Sequence, residues 1–471
     1  MKPYPRLVMA GTHSGVGKTT VTLSILAALR ERGRTVQPFK AGPDFIDPSH
    51  HRAATGRPSR NLDGWMLGND LNRLIFARAA VDADISIIEG MMGLFDGSSP
   101  LNDLGSTAEL AKQLEAPVIL VVDGSAMARS AAAMVAGYAR FDPTLRVAGV
   151  LFNHVGSDAH YQLLKTAVEQ DTDVVAVGYL RHDSELAIGD RHLGLVMAME
   201  EGSEHLYRRL AKAALDTVDL DRIEALAQAC KSLSVVVSQP VSACQRRTVR
   251  IGVAQDHAFC FYYPDNLDAL EAAGGEILPF SPLHDDALPD VEMLYLGGGY
   301  PELYGETLTR NIAMRAAIKR FAEGGGLIYA ECGGLMYLTE SIRDGDGQSH
   351  TMVGVFPAET VMRKTTSTLG YRTSENTRRC ILGDVGVTVR GHEFHYSTLV
   401  ARGPFHYACG LSDAEGRSKG QDGLMSGHVL ALYTHLHFAS QPTVAVSLIE
   451  SAARAASHVN SRARQRPGGN C

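Results

Sequence analysis

The chain contains no Cys-x-x-Cys pair, no internal repeat and no uninterrupted apolar run long enough to span a bilayer. Its seven cysteines (Cys230, Cys244, Cys260, Cys332, Cys380, Cys409 and Cys471) are odd in number and widely spread, so reduced thiols are expected rather than a disulfide framework. The lack of a long apolar run excludes a transmembrane helix. Met1-Lys-Pro-Tyr-Pro also leads toward the first strand without the apolar centre of a signal peptide, so a cytoplasmic protein is expected. An excess of basic residues is missing as well. The formal net charge of −7 argues against nucleic acid or an anionic membrane as main partner, whereas glycine turns and a few lysines still suit small anions. At 471 residues, with 45% hydrophobic and 21% charged, the chain exceeds the size at which one core keeps growing, and two globular domains are expected.

The first informative stretch is Arg6-Leu-Val-Met-Ala-Gly-Thr-His-Ser-Gly-Val-Gly-Lys-Thr-Thr20, an apolar strand that enters a glycine-rich turn and then a helix-forming segment. Bare backbone at Gly11, Gly15 and Gly17 lets N–H groups converge on phosphate oxygens, the helix start adds its positive end, Lys18 reaches the outer phosphates and Thr19 can hold Mg2+. The usual pattern puts a glycine at position 12. Here Thr12 stands there and Gly11 takes the role, giving Gly-x5-Gly-Lys-Thr. A nucleotide site built from residues 11–20, with Val16 and Thr20 included, is the reading.

Further apolar runs of strand length recur between helical patterns: Thr35–Phe39, Ile85–Glu89, Pro117–Val122, Val147–Phe152 and Val174–Val177. Several are continuous Val, Ile and Leu, as strands covered on both faces require, so a parallel sheet flanked by helices is predicted, with ligands at the carboxyl ends of its strands. Phe39-Lys-Ala-Gly-Pro-Asp-Phe-Ile-Asp-Pro-Ser-His-His51 follows the second strand. Asp44 and Asp47 either ligate Mg2+ there or decorate a solvated turn. Glu89 ends the expected third strand, where P-loop enzymes keep the carboxylate that holds Mg2+, with Asp96 on the loop beyond in reach of a substrate; a helix cap and a turn residue are the plain alternatives. Asp123 ends the next strand. Asn153 ends the one after and either reads an adenine edge or caps a helix.

Ser232-Leu-Ser-Val-Val-Val-Ser-Gln-Pro-Val-Ser-Ala-Cys-Gln245 has the composition of a join, and a fresh strand is expected over Thr248–Val253. The boundary is placed at 240–247, giving domains 1–240 and 248–460 and a frayed tail over 461–471. In the second domain, Gly325-Gly-Leu-Ile-Tyr-Ala-Glu-Cys-Gly-Gly-Leu-Met-Tyr-Leu338 reads as strand, sharp turn and helix with Cys332 at the turn, where the helix start is expected to lower the thiol pKa. Leu296-Gly-Gly-Gly-Tyr-Pro-Glu302 offers Gly298 and Gly299 as oxyanion donors. Leu432-Tyr-Thr-His-Leu-His-Phe438 supplies a base. Taken singly, Cys332 is a buried small hydrophobe, the glycines a turn and His435 or His437 a sheet histidine. Together they form a nucleophile, an oxyanion site and a base. His392 and His395, with His435 and His437, are the alternative of a metal cluster.

Carried by Gly17-Lys18-Thr19, Lys40-Ala-Gly-Pro-Asp-Phe-Ile-Asp-Pro48, Glu89-Gly-Met-Met-Gly-Leu-Phe-Asp-Gly97, Arg191-His-Leu-Gly-Leu195, Gly298-Gly-Tyr-Pro-Glu302, Glu331-Cys-Gly-Gly-Leu335 and Gly391-His-Glu-Phe-His-Tyr-Ser397, the chain resembles the cobyrinate a,c-diamide synthase family over nearly its whole length. That family also includes synthases acting on hydrogenobyrinate and nickel sirohydrochlorin. The resemblance implies an α/β fold with a dethiobiotin-synthetase-like P-loop synthetase domain, followed by an α/β class I glutamine amidotransferase domain. It implies Cys332 as nucleophile and His435 as base, with Mg2+ held by Thr19, Asp47 and Glu89. Asp44, Phe45, Ile46 and Asp96 would face the substrate carboxylate. ATP, L-glutamine and a cobyrinate-type macrocycle are the implied small-molecule partners, and a homodimer is compatible. Two departures stand out. Leu180-Arg-His-Asp183 replaces the usual Leu-Pro-Arg-Asp, which leaves base contacts around 178–183 open, and His437 stands where many class I glutaminases have the glutamate of their triad. The alternatives are the same reaction on another macrocycle, or a P-loop regulatory ATPase with an inactive glutaminase-like domain.

Overall fold

The computed structural model describes residues 4–186, 189–191, 194–201, 204–235, 248–365 and 368–464. The chain divides into two compact units, Met1–Ser238 and Gln239–Cys471. The expected boundary at 240–247, His192 and Leu193 of the quoted motif, and residues 465–471 lie outside the described residues.

In the first unit, strands β1 (Arg6–Gly11), β2 (Val36–Ala41), β3 (Arg60–Leu62), β4 (Ile85–Gly93), β5 (Val118–Asp123), β6 (Val147–Asn153) and β7 (Val175–Tyr179) form one parallel sheet in the order β3-β2-β4-β1-β5-β6-β7. The apolar runs suit strands covered on both faces. A strand such as β1, buried at every position, can lie only inside a sheet with helices on both faces. The acid-bearing strand expected as the third is the fourth, because the three-residue β3 precedes it. Between the strands run α1 (Lys18–Glu31), α2 (Ile46–Thr55), α3 (Gly68–Ala79), α4 (Thr107–Gln113), α5 (Ser130–Phe141) and α6 (Asp158–Asp171). After the short strands β8 (Asp190–Arg191) and β9 (Gly194–Leu195) come α7 (Ala198–Glu201), α8 (Glu204–Thr217) and α9 (Leu220–Gln228). Leu23 and Leu26 of α1 share one core with Leu210 and Ala214 of α8 and Ile223 of α9, all fully buried. Each such leucine contributes about 1.5–3 kcal/mol on leaving water. Arg6 is buried too, and its guanidinium donates to the carbonyls of Leu114 at 2.6 Å, Lys231 at 2.8 Å and Tyr4 at 2.9 Å.

The second unit begins with β10 (Val249–Ala254), α10 (Pro264–Ala272), β11 (Gly275–Phe280), β12 (Met293–Leu296), α11 (Gly305–Arg310), α12 (Ile312–Glu323), β13 (Leu327–Glu331) and α13 (Gly333–Leu338). Strands β14 (Thr339–Arg343), β15 (Ser349–Thr351), β16 (Phe356–Met362), β17 (Thr368–Asn376), β18 (Thr388–His395), β19 (Ser397–Ala401), β20 (His406–Ser412), β21 (Ser418–Ser426), β22 (Val429–Leu432) and β23 (His435–Leu436) follow, and then α14 (Thr443–Arg464). The main sheet runs β11-β10-β12-β13-β22-β21-β20-β17-β18-β23; its first five strands are parallel and the rest antiparallel. A second sheet orders β15-β14-β16-β19. Helix α14 continues to Arg464, past Ser461, where a frayed tail was expected. Among the described residues no helix is long and apolar enough to cross a membrane.

Candidate functional site

Each unit gathers its chemistry-bearing residues at the carboxyl ends of parallel strands. In the first unit the turn after β1 folds back over itself. A Cβ on Gly11 would lie 2.6 Å from Val16 Cγ1 and 2.9 Å from the Lys18 stem, so the glycine at 11, one place earlier than usual, is the one this loop needs. Gly15 and Gly17 sit at φ +84° and +88°, in the left-handed region that favours glycine. The Thr12 carbonyl accepts from Tyr138 Oη at 2.6 Å, and Lys18 Nζ rests 3.3 Å from the His13 carbonyl. Burial, then neighbouring Lys40, holds the Lys18 ammonium below the usual lysine range. Thr20, half-buried, gives its carbonyl to Ser24 Oγ.

Asn153, at the end of β6, donates from its amide to the Val16 carbonyl at 3.0 Å. Through that bond the asparagine braces the phosphate loop, a role the sequence did not show. Gly17→Ala would force a strained φ and place its Cβ 2.1 Å from the Asn153 amide nitrogen. We expect that variant to lose nucleotide binding by at least about tenfold in calorimetry.

Sheet register assembles the acids. Strand β4 lies between β1 and β2, and Glu89 is paired with Met9 on one side and Lys40 on the other. Glu89 Oε1 accepts from Thr19 Oγ1 at 2.7 Å and Lys40 Nζ at 3.2 Å, while Oε2 lies 2.7 Å from His51 Nε2. Lys40 Nζ also pairs with Asp47 at 2.6 Å and Asp44 at 3.8 Å. Burial opposes every charge here. For Lys40 it is outweighed by Asp47, Glu89 and Asp44, which hold the ammonium above its usual range. For Glu89 it is outweighed by Lys40 and then by the His51 hydrogen bond, so the carboxylate stays ionised. Asp47 is pushed well up by burial and then by Asp44.

Asp44 Oδ1 accepts from the Ile46 and Asp47 N–H groups at 2.8 and 3.3 Å, so this aspartate opens helix α2 and fixes the approach of Phe45, half-buried, and Ile46, buried. Asp96 is exposed and accepts from Gly93 N at 2.9 Å, on a segment tied to the phosphate loop by Leu94 N donating to the Gly11 carbonyl. His51 was missed by sequence reasoning, although it lies four residues after Asp47 and hence on the same face of α2. His182, in the departing 180–183 stretch, sets its ring edge-on to His154, 5.4 Å away, next to Asn153.

Thr19, Asp47 and Glu89 present hard oxygen donors, the chemistry Mg2+ takes. Among the described residues no group of three or more His, Cys, Asp and Glu can hold a metal. Two carboxylates and a hydroxyl therefore fit Mg2+ only with phosphate oxygens completing the set, as is usual for that ion. The same finding removes the four-histidine metal alternative in the second unit, where His392 Nδ1 lies 3.0 Å from Tyr263 Oη and His395 Nδ1 2.9 Å from the Ser397 carbonyl.

In the second unit Cys332 stands between β13 and α13 with φ +46°, a left-handed non-glycine position. Burial, then the charge of Glu302, pushes its thiol well above the usual range, opposite to the lowering expected from the helix start. A six-residue helix cannot offset desolvation. A Cβ on Gly333 would meet Gly299 N at 3.1 Å, and one on Gly298 would lie 2.4 Å from His435 Cε1. Bare backbone therefore brings Gly298, Gly299, the Cys332 turn and the His435 ring together. Gly299, at φ +150°, has no room for a side chain against the Ala258 carbonyl. His435, paired with His392 across β18 and β23, stacks on that ring at 5.1 Å and is held neutral by burial and by His392.

Residues 7–195 match the CobQ/CobB/MinD/ParA nucleotide binding domain, and residues 250–443 the CobB/CobQ-like glutamine amidotransferase domain. The chain is 47% identical over 451 residues to the cobyrinate a,c-diamide synthase of Syntrophotalea carbinolica, covering 95% of this chain and 98% of that protein. It is 42% identical to the synthase of the same name from Priestia megaterium (94% and 96% covered) and 43% identical to that from Salmonella typhimurium (95% and 98% covered).

Proposed function

Because the chain belongs to the cobyrinate a,c-diamide synthase family, we propose that it amidates the a and c acetate carboxylates of cobyrinate in cobalamin biosynthesis, using ATP and glutamine. The observation that supports the reading is the presence in one chain of a phosphate loop with buried acids and of a cysteine turn with glycines and histidine.

In the second unit the Cys332 thiol would give its proton to His435 as sulfur bonds the glutamine amide carbon, with Gly298 and Gly299 N–H groups facing the developing oxyanion. His435 returns the proton to the departing nitrogen. Water then releases glutamate, and ammonia is free for the second reaction. In the first unit residues 11–20 would hold the ATP phosphates, and Asp44, Phe45, Ile46 and Asp96 would position a peripheral carboxylate of the macrocycle. That carboxylate takes the γ-phosphoryl group, ADP leaves, and ammonia displaces phosphate from the acyl phosphate to give the amide; a second round amidates the other acetate. Activation is required because a carboxylate is inert to ammonia. Mg2+ held by Thr19, Asp47 and Glu89 would neutralise phosphate charge, and Lys18 and Lys40 add to the same field. An attached source of ammonia raises its effective concentration where most of the free pool is ammonium. The net charge of −7 and the small-molecule chemistry support a cytoplasmic protein that engages neither nucleic acid nor membrane, and a homodimer is compatible with them.

The test is mass spectrometry of cobyrinate, hydrogenobyrinate and nickel sirohydrochlorin incubated in parallel with protein, MgATP and glutamine. Two successive amidations of cobyrinate are expected. Amidation of another macrocycle instead would move the substrate assignment, and glutaminase activity with no mass change on any of the three would overturn it.

A further inference from the structure

Resting on the glutaminase reading of Cys332 and His435, we infer that Glu331 is the positioning residue for His435, filling from the opposite side of the histidine the role that a glutamate at 437 would otherwise take. Position 437 does not supply it: His437 lies on the ring of Tyr263, with centroids 4.5 Å apart. Glu331 is the last residue of β13 and is 1% exposed. A carboxylate withdrawn from water to that extent persists only where donors surround it. Its Oε1 accepts from Tyr329 Oη at 2.6 Å and from the backbone N–H of Leu436 at 3.1 Å; its Oε2 accepts from Tyr295 Oη at 3.0 Å.

Two of these contacts bear on the base. Leu436 directly follows His435, so the carboxylate pins the two-residue strand β23 that carries the imidazole. The same Oε2 lies 3.9 Å from His435 Nδ1. The other side of the ring packs on Gly298, with Cε1 and Nε2 nearest. Glu331 therefore faces the nitrogen turned away from the oxyanion glycines, as the orienting carboxylate of a triad must. A separation of 3.9 Å exceeds a hydrogen bond, so Glu331 acts on the ring by its charge and through its hold on the Leu436 N–H. When His435 Nε2 takes the proton from Cys332 Sγ, the ring becomes an imidazolium and its Nδ1–H meets an anion. The proton leaves with the ammonia and the carboxylate is unchanged.

A protonation signature follows. The groups that face Glu331 are Tyr329 on its own strand, Tyr295 on β12, Tyr262 beside Tyr295, Cys332 at the turn, and His435 with His392 behind it. Burial pushes the Glu331 carboxyl up to about 7, against the lowering by Tyr329, Leu436 and Tyr295. His435 is held far below its usual value. Glutaminase activity should thus be full where Glu331 is ionised and fall as pH drops through about 7, a limb that belongs to Glu331 rather than to His435.

The experiment measures glutamine hydrolysis by the full chain against pH for the unaltered protein, Glu331→Gln and Tyr329→Phe, with Cys332→Ser as reference. Glu331→Gln should lose about 100-fold in kcat with KM for glutamine changed less than about threefold, lose the limb near pH 7, and keep ammonia-dependent amidation. Tyr329→Phe removes a donor to the ionised form and should move the limb to higher pH with its plateau retained, a result a merely structural tyrosine would not give. An unchanged kcat and limb in Glu331→Gln overturns the inference. If that variant does not fold, an unmoved limb in Tyr329→Phe overturns it. Hydrolysis that survives Cys332→Ser would instead overturn the glutaminase reading beneath it.

Discussion

Cys332→Ser is expected to abolish glutamine-dependent amidation, by about 10⁴-fold or more, while ammonium salts still support the reaction at close to the unaltered rate. The expectation comes from where the thiol sits. Cys332 is 6% exposed, and burial followed by Glu302 opposes its ionisation. A thiol in that setting is activated by handing its proton to a neighbouring base, and the serine hydroxyl, far less acidic, is not deprotonated by a base matched to sulfur. The exchange removes no large apolar group and demands the same backbone, so the fold is not at issue. Parallel assays with glutamine and with ammonium chloride read the result. Loss of both activities would show that Cys332 serves the ATP-dependent step as well, contradicting the division of labour.

Glu89→Gln is expected to give the converse pattern: glutamine hydrolysis retained, and ATP-dependent amidation reduced about 10³-fold with either nitrogen source. Here the fold is also at issue. Glu89 is fully buried among Thr19, Lys40 and His51. A neutral amide leaves the Lys40 ammonium with Asp47 as its nearest partner at 2.6 Å and presents an N–H group where His51 or Thr19 needs an acceptor. Removing one member of a buried charged cluster costs about 3–5 kcal/mol. Because Glu89 titrates below the usual carboxylate range in the folded unit, its contribution is present above that range and lost only in strong acid. Urea unfolding at neutral pH should therefore show the loss in full. Glutamine-independent ADP release at the unaltered rate would remove Glu89 from the nucleotide site.

The first unit's sheet was legible because its strands are continuous apolar runs: Arg6–Gly11 begins and ends as read, four others differ by one or two residues at one or both ends, and the strand read as Ile85–Glu89 continues to Gly93. The three residues of β3 carry no such signal; Asn61 is held there by its amide on the Gly42 and Asp44 carbonyls. In the second unit the strand expected over Thr248–Val253 is β10 and the one before Cys332 is β13, but the run of strands from β15 to β21 was not delineated. Their half-buried, interrupted pattern resembles loops until neighbours pair with them. The candidate site residues were picked out by type and spacing. Their supports were not, because support is a property of register and packing. His51 reaches Glu89 from a helix 38 positions away, and Glu331, adjacent to the nucleophile in sequence, serves a histidine 104 positions on. The direction of the Cys332 shift was misread for a related reason: a string of letters shows the helix start but not the depth of burial.

Lys40 gives the acid cluster a further property. An ammonium anchored in β2 lies 2.6 Å from Asp47 and 3.2 Å from Glu89, so a bare divalent ion entering this pocket would meet a cation in residence. A divalent ion that arrives clothed in triphosphate brings its own negative charge, which the same ammonium and Lys18 welcome. On the proposed reading the pocket would favour the metal–nucleotide complex over the free ion, and would couple the loading of one to the arrival of the other.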